Sequence, residues 1–178
     1  MLVNPFVSLS AMTHPLSSSY SLYYTDDNKS CRNYEDRIHE ISEPITTAEC
    51  LVQHLSHLKA LSLSGTDYHL FVSSIKPMWE DPANRQGGKF IVRTKRGGQT
   101  MAVFNMMVFA LSGGTFAEDL DICGVVARCR GVGSSVCLWH RNREDVEIRR
   151  KINHKLIEIL KVEDKAFQFE YERHDGSM

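Results

Sequence analysis

The stretch from Tyr68 to Phe90 constrains the fold of this 178-residue chain more than any other segment. It opens with YHLFVSSI, a run of aromatic and β-branched residues that is typical of a buried strand over residues 68–75. Pro77 cannot continue that strand, and the loop that follows closes at a glycine pair. A second strand is predicted over residues 89–94. The sequence therefore predicts two strands joined by a loop that carries a tryptophan and two acidic residues.

That loop has the chemistry of a site for a flat ligand. Trp79 offers an aromatic face, and Glu80 and Asp81 follow it directly. A Glu carboxylate accepts two parallel hydrogen bonds, and the Watson–Crick edge of guanine offers two donors in that geometry. The alternative for Trp79, a tryptophan of the hydrophobic core, stays open at this point.

Composition sets the broad class. With 178 residues, 42% of them hydrophobic, the chain can bury one full core. We expect a mobile tail over residues 1–13 and a single domain over residues 14–178, monomeric without its partners. A net charge of −1 excludes a polybasic protein that binds nucleic acid through phosphate contacts alone. Any RNA should therefore bind at one small site.

Thiols and histidines suggest neither a disulfide framework nor a cofactor. The five cysteines are an odd number without a CxxC pair, which indicates reduced thiols in the cytosol or nucleus; we expect a cytoplasmic protein, with the nucleus as the alternative. His54 and His57 have the spacing of metal ligands on a helix, but no third ligand is near in the sequence, and a solvated helix face is the alternative. No cofactor is expected.

Helices and strands are intermixed along the chain, which predicts an α+β fold with an antiparallel sheet. The first helix should span residues 45–61, begin with a capping box from Thr46 to Glu49, and bury a leucine stripe. A second helix is predicted over residues 99–112 and a third from near Asn142. Further strands are predicted at residues 121–130, 134–140 and 167–171.

The run from Ile75 to Lys89, I-x-P-M-W-E-D-x-x-N-x-x-G-G-K, resembles the signature of the eukaryotic translation initiation factor 4E family, which binds the 7-methylguanosine cap of messenger RNA. The similarity extends from about His14 to about Tyr171. It implies a curved antiparallel sheet with three helices on its convex face and the cap slot on the concave side.

The resemblance also implies a set of cap-binding residues. Trp79 and Tyr34 would stack on the two faces of the base, with Tyr34 where the best-known members have tryptophan. Glu80 would accept from the guanine edge, and Trp139 would contact the methyl group. A methylated, positively charged guanine is attracted to aromatic faces more strongly than neutral guanine is. Ordinary packing remains the alternative for Tyr34 and for Trp139.

Phosphate contacts and the partner surface depart from the family pattern. Lys89 and Arg130 match family phosphate ligands, but two family lysines are missing. We expect Arg128, which has the strand parity of Arg130, and Arg141 to compensate. The residues implied for partner binding are His14, Pro15 and Leu51, where Leu51 replaces a tryptophan that grips a Tyr-x4-Leu-type peptide.

Three functions are weighed on this basis. The first is a cap-binding translation initiation factor that recruits capped mRNA through a scaffold of the 4G type. The second is a cap-binding repressor or sequestering homologue that does not recruit the initiation machinery. The partner expected on the helix face around Leu51 is the 4G-type scaffold or a 4E-binding repressor. The third, an enzyme acting on caps or nucleotides, is disfavoured because the sequence has no recognisable cluster of carboxylates for metal-assisted hydrolysis and no phosphate-binding glycine loop.

Overall fold

The computed structural model describes residues 13–26, 33–58, 66–95, 97–116, 120–128, 133–161 and 169–174. The strands within these ranges are Pro15–Thr25 (β1), Ile38–Glu40 (β2), Ile45–Thr47 (β3), Asp67–Val72 (β4), Gly88–Thr94 (β5), Ile122–Arg128 (β6), Ser134–His140 (β7) and Phe169–Arg173 (β8). The helices are Ala48–His57 (α1), Gly97–Ser112 (α2) and Val146–Leu160 (α3), with a short 3-10 helix at Glu35–Arg37.

The eight strands of the described residues form one antiparallel sheet. Its order is β2-β1-β4-β6-β7-β5-β8, and β3 pairs with β1. The sheet is curved and open. The predicted α+β class and the antiparallel pairing are both confirmed.

One face of the sheet carries the main hydrophobic core and all three described helices. Leu51 of α1, Phe104 of α2 and Ile152 of α3 pack there against strand residues such as Leu70 and Leu138. Successive strand residues point to opposite faces, so each strand supplies one set of side chains to this core. The helices thus cover the convex face, as predicted.

The concave face has a smaller apolar cluster, built from the alternate residues of the same strands. Phe71 of β4, Val126 of β6 and Cys137 of β7 are buried in it, and Trp139 packs against them. Because no described helix covers this face, its outer residues form the floor of a groove.

The first helix begins later than predicted. Residues 45–47 are β-branched at all three positions and pair with β1 as a short strand, so α1 starts at Ala48. The cap is Thr47, whose hydroxyl accepts from the Cys50 amide, and the predicted capping box from Thr46 to Glu49 is wrong. The Glu49 carboxylate instead accepts from the backbone amide of His14 at 3.2 Å and lies 2.6 Å from its Nδ1.

Other predicted boundaries also move. The third helix starts at Val146 and not near Asn142, because Asp145 is its cap and accepts from the amides of residues 147 and 148. Strand β4 ends at Val72, where a turn takes Ile75 into the concave cluster. The first helix ends at His57 and not at residue 61, because Leu58 is already extended. Residues 1–12, 59–61, 129–130 and 167–168 of the predicted elements and tail lie outside the described residues. No helix in the described ranges is long and apolar enough to cross a membrane.

Candidate functional site

The loop that carries Trp79 is held at both ends by Asp81. One carboxylate oxygen accepts from the Lys76 amide at 3.0 Å, and the other accepts from the Ala83 amide at 2.9 Å. These are the local side-chain hydrogen bonds that favour Asp in turns. Asp81 therefore shapes the loop, which explains its place in the sequence motif without a contact to any ligand.

Asn84 stabilises the same loop from the interior of the protein. It is fully buried, and its amide nitrogen donates to the carbonyls of Lys76 and Met78 at 2.9 and 2.7 Å. Its own backbone carbonyl accepts from the Gly87 amide and from Nδ1 of His174. One residue thus connects the tryptophan loop to the end of β8.

This loop forms one wall of a cavity of about 420 Å³ on the concave face. Tyr34, which lies just before the 3-10 helix, also lines the cavity, and the other lining residues come from β4, β5, β6, β7, β8 and the residue after β8. The lining side chains are Tyr34, Asp67, His69, Trp79, Lys89, Val126, Arg128, Cys137, Trp139, Glu172, Arg173 and His174.

Two aromatic side chains stand at the walls and are unusually exposed. Trp79 has 53% of its surface accessible and Tyr34 has 40%. Burial raises the pKa of the Tyr34 hydroxyl, and a hydrogen bond with Thr25 acts in the opposite direction. Two large exposed aromatics beside one cavity are typical of a ligand site.

The two tryptophans of the sequence both line the cavity, and Trp139 lies on its floor. Its ring packs edge-on against Phe71, with centroids 5.5 Å apart, and against the tilted ring of His174 at 4.2 Å. Within the described residues the indole Nε1 is buried without a hydrogen-bond partner. Trp139 is therefore fixed in place by its neighbours and keeps one buried donor available.

His174 lines the cavity and has a defined tautomer. Because a carbonyl can only accept, Nδ1 of His174 carries the proton that it donates to Asn84 at 2.7 Å. Burial lowers the pKa of His174, which favours the neutral ring with a bare Nε2. That nitrogen has no hydrogen-bond partner among the described residues.

The cations of the cavity are balanced by carboxylates of the protein. Lys89 Nζ lies 3.2 Å from Glu172, and Arg128 Nε lies 3.6 Å from Asp67, whose side chain is almost completely buried. Arg173 also lines the cavity, with a guanidinium nitrogen 3.6 Å from Glu144 outside it. The groove therefore has an excess of positive charge, but only a small one.

Most of the predicted site residues come together. Tyr34, Trp79, Trp139, Lys89 and Arg128 all line the same cavity. Such convergence of residues from distant parts of the sequence is what a binding site requires.

Two predicted residues are placed differently, and a third is not described. Glu80 is exposed next to Trp79 but is not one of the lining side chains. Arg141 lines another cavity, with Ser17 and Tyr20 of β1, so it is not brought to the aromatic site. Arg130 lies outside the described residues.

Sequence reasoning missed several lining residues. Asp67 and His69 share the strand parity of Phe71, but the predicted strand began only at Tyr68, and its aromatic and β-branched residues carried that prediction. Glu172 and His174 follow the last predicted strand residue, Tyr171. The only signal for them was the alternation of that strand, which continues to Arg173.

The residues predicted to bind a partner differ in their exposure to solvent. His14 is exposed and pairs with Glu49, whereas Leu51 is 1% exposed and belongs to the core. Large apolar side chains are exposed on all three described helices: Val146 and Ile157 on α3, Val52 on α1, and Met106 and Phe109 on α2. A protein bound across α1 and α2 would contact Val52, Met106 and Phe109 and not the buried Leu51.

Metal and thiol chemistry find no support among the described residues. No group of three or more His, Cys, Asp or Glu is placed there to hold a metal ion. Cys50, Cys123 and Cys137 are free thiols. Burial raises the pKa of Cys137 on the cavity floor and raises that of Cys123 to about 12, so neither is a reactive thiolate.

Comparison with known proteins decides the family. A sequence model described as "Eukaryotic initiation factor 4E" matches residues 15–178. The chain belongs to the eukaryotic initiation factor 4E family. Among relatives of this 4E-family protein, the eukaryotic translation initiation factor NCBP of Triticum aestivum is 34% identical over 173 residues, which are 96% of this chain and 74% of the relative.

Solved structures of 4E proteins have the same fold. One is a complex of C. elegans eIF4E-3 with the 4E-binding protein Mextli and a cap analog, with a TM-score of 0.84 and 30% identity over 92% of this chain and 94% of that one. Another is Ascaris suum eIF4E-3 with the m2,2,7G cap, with a TM-score of 0.82 and 31% identity over 94% and 95% of the two chains.

Proposed function

We propose that this 4E-family protein binds the 7-methylguanosine cap of messenger RNA, with the base stacked between Tyr34 and Trp79. The observation that carries the proposal is a single cavity with two exposed aromatic walls, a tryptophan floor and cations at its edge. The C. elegans and Ascaris suum structures that share this fold hold a cap analog and a cap. A methylated guanine carries a positive charge, which favours stacking on electron-rich rings.

Glu80 recognises the guanine edge in this proposal. It lies directly after Trp79 on the braced loop, is exposed, and can turn its carboxylate to the edge of a base stacked on its neighbour. Two parallel hydrogen bonds from the base to one carboxylate are short and charge-assisted. This contact selects guanine, whereas the aromatic faces select the methyl charge.

Lys89, Arg128 and Arg173 bind the phosphates. All three line the cavity, and each lies within 4 Å of a carboxylate that compensates its charge. Arg130 stays a candidate from the family resemblance. We leave out Arg141, because it lines another cavity.

The cellular role that we propose is recruitment of capped mRNA for translation initiation in the cytoplasm, through a scaffold partner on the helical face. The support is the apolar surface of α2, where Met106 and Phe109 are exposed. Replacing Phe109 by Asp should abolish capture of a 4G-type scaffold fragment. The matched control is Ile157→Asp on α3, which should leave capture intact. Recovery of silencing proteins instead of a scaffold would favour a repressor.

Cap binding is tested by tryptophan fluorescence. The two tryptophans line the cavity, so emission reports directly on the site. We expect 7-methyl-GTP to quench emission at concentrations at least about tenfold lower than GTP, because two aromatic faces each favour the cationic base. Equal responses to both nucleotides would contradict the proposal.

Glu80→Gln provides the matched variant for the guanine contact. It keeps the size of the side chain but removes the charge and one acceptor, so 7-methyl-GTP should bind about 10- to 100-fold more weakly. Asp81→Asn is not a suitable control, because Asp81 shapes the loop. Unchanged affinity in Glu80→Gln would place the guanine edge elsewhere.

A further inference from the structure

Lys89 and Glu172 form an ion pair inside the cavity. Lys89 of β5 is directly opposite Glu172 of β8 in the strand register, so their side chains share the concave face. The Nζ to Oε1 distance is 3.2 Å, and both residues line the cavity. The lysine side chain is only 15% exposed, whereas that of the glutamate is 44% exposed.

The pair lies beside the cavity floor. Lys89 is also directly opposite Trp139 of β7, so Trp139, Lys89 and Glu172 form one row across three neighbouring strands. A phosphate that approaches the lysine from a base over Trp139 meets the Glu172 carboxylate at the same place. Two anions then compete for one ammonium group, and like charges at that distance repel.

We propose that Glu172 is the internal counter-ion of Lys89, which phosphate must displace, and that it therefore determines how strongly ligand affinity depends on the number of phosphates. This role rests on the proposed function. A carboxylate at this position keeps a largely buried ammonium compensated, and it lowers the attraction of the site for any phosphate. It makes the protein rely on the base for much of its affinity.

A neighbouring pair separates this role from a purely structural one. Glu170 lies two residues earlier on β8 and pairs with Arg93 of β5 through two contacts of 3.1 and 2.7 Å. It joins the same two strands as Glu172 does, but neither Glu170 nor Arg93 lines the cavity. If Glu172 only held β8 to β5, neutralising either glutamate would have the same effect on ligand binding.

The experiment compares Glu172→Gln with Glu170→Gln by fluorescence titration at one ionic strength. The ligands are 7-methyl-GTP, 7-methyl-GDP, 7-methyl-GMP and 7-methylguanosine. In Glu172→Gln, 7-methyl-GTP should bind about three- to fivefold more tightly, as expected for release of a partly exposed ion pair. The gain should shrink with each phosphate removed and vanish for the nucleoside. Glu170→Gln should match wild type for all four ligands.

A double variant tests the route through the lysine. Lys89→Gln should weaken 7-methyl-GTP binding, and adding Glu172→Gln to it should restore less than the gain seen in the wild-type background. A full gain without Lys89 would show a general field effect and would overturn the counter-ion role. If the Glu172→Gln variant melts well below wild type, Glu172→Ala is used for the same comparison.

The remaining outcomes are distinguishable. Suppose wild type prefers 7-methyl-GTP to GTP, but Glu172→Gln and Glu170→Gln behave alike. This result would refute the role of Glu172 and leave the cap-binding proposal intact. An equal change for all four ligands in Glu172→Gln refutes it too. Wild type that binds none of the methylated ligands refutes the proposed function, and this role with it.

Discussion

Replacing Asn84 by alanine should destabilise the fold and weaken ligand binding together. Asn84 is completely buried, and its side-chain amide donates to the carbonyls of Lys76 and Met78 at 2.9 and 2.7 Å. A buried hydrogen bond contributes about 0.5–1.5 kcal/mol net. Both carbonyls keep a backbone donor, so the loss of two bonds should cost about 2 kcal/mol in all.

Thermal and chemical unfolding measure the first effect. For a chain of this length, about 2 kcal/mol corresponds to a fall in Tm of about 4–8 °C. The same variant should bind 7-methyl-GTP more weakly than wild type, because the loop that carries Trp79 loses the two hydrogen bonds from the Asn84 side chain. The effect on binding comes from positioning, since Asn84 does not line the cavity.

Glu80→Ala is the matched control, because it lies on the same loop but is exposed. It should lose 7-methyl-GTP binding while keeping the Tm of wild type. An Asn84→Ala protein whose Tm and affinity both equal those of wild type would refute the inference that Asn84 holds the loop. Loss of stability with unchanged affinity would refute the positioning part alone.

Two further predictions concern stability. Burial lowers the pKa of His140 from 6.5 to about 4, so the unfolded chain takes up a proton at higher pH than the folded protein does. The free energy of unfolding should therefore fall as pH is lowered from about 6.5 to about 4, by up to about 3 kcal/mol. Urea unfolding across this range should show a weaker dependence of this free energy on pH in His140→Gln. The same pH dependence as in wild type would assign the effect to other groups. In Gly88→Ala the new Cβ would lie 2.3 Å from the Tyr171 hydroxyl and 2.9 Å from the carbonyl oxygen of Glu172, which should cost about 1–3 kcal/mol; a variant as stable as wild type would show that β5 and β8 are less closely packed.

Local sequence signals predicted the elements but not all of their boundaries. The stripe of Phe104, Met107 and Leu111 indicated a buried helix face, and α2 packs these residues in the core. The predicted start of α1 was wrong because the Ile-Thr-Thr run before the helix pairs with β1. That pairing joins two segments that are distant in the sequence. Period and capping rules act on near neighbours, so they cannot detect that pairing.

In the candidate site too, local sequence signals predicted some residues, whereas contacts between distant segments could not be predicted. The motif around Trp79 and the parity of Arg128 predicted that both residues belong to one site, and both line one cavity. The ion pair between Lys89 and Glu172 depends on the register of β5 and β8, which brings together residues 83 positions apart in the sequence. The burial of Leu51 depends on how α1 packs on the sheet, which family alignment alone does not supply.

The most direct test of the account uses a protein with a single tryptophan. Trp139→Phe leaves Trp79 as the only source of tryptophan emission, since the sequence has two tryptophans. If the methylated base stacks on Trp79, 7-methyl-GTP should quench this emission strongly while the same concentration of GTP has little effect. If Trp79 emission is insensitive to 7-methyl-GTP, while a Trp79→Phe protein is quenched through Trp139, the base binds elsewhere in the cavity and the stacking model is contradicted.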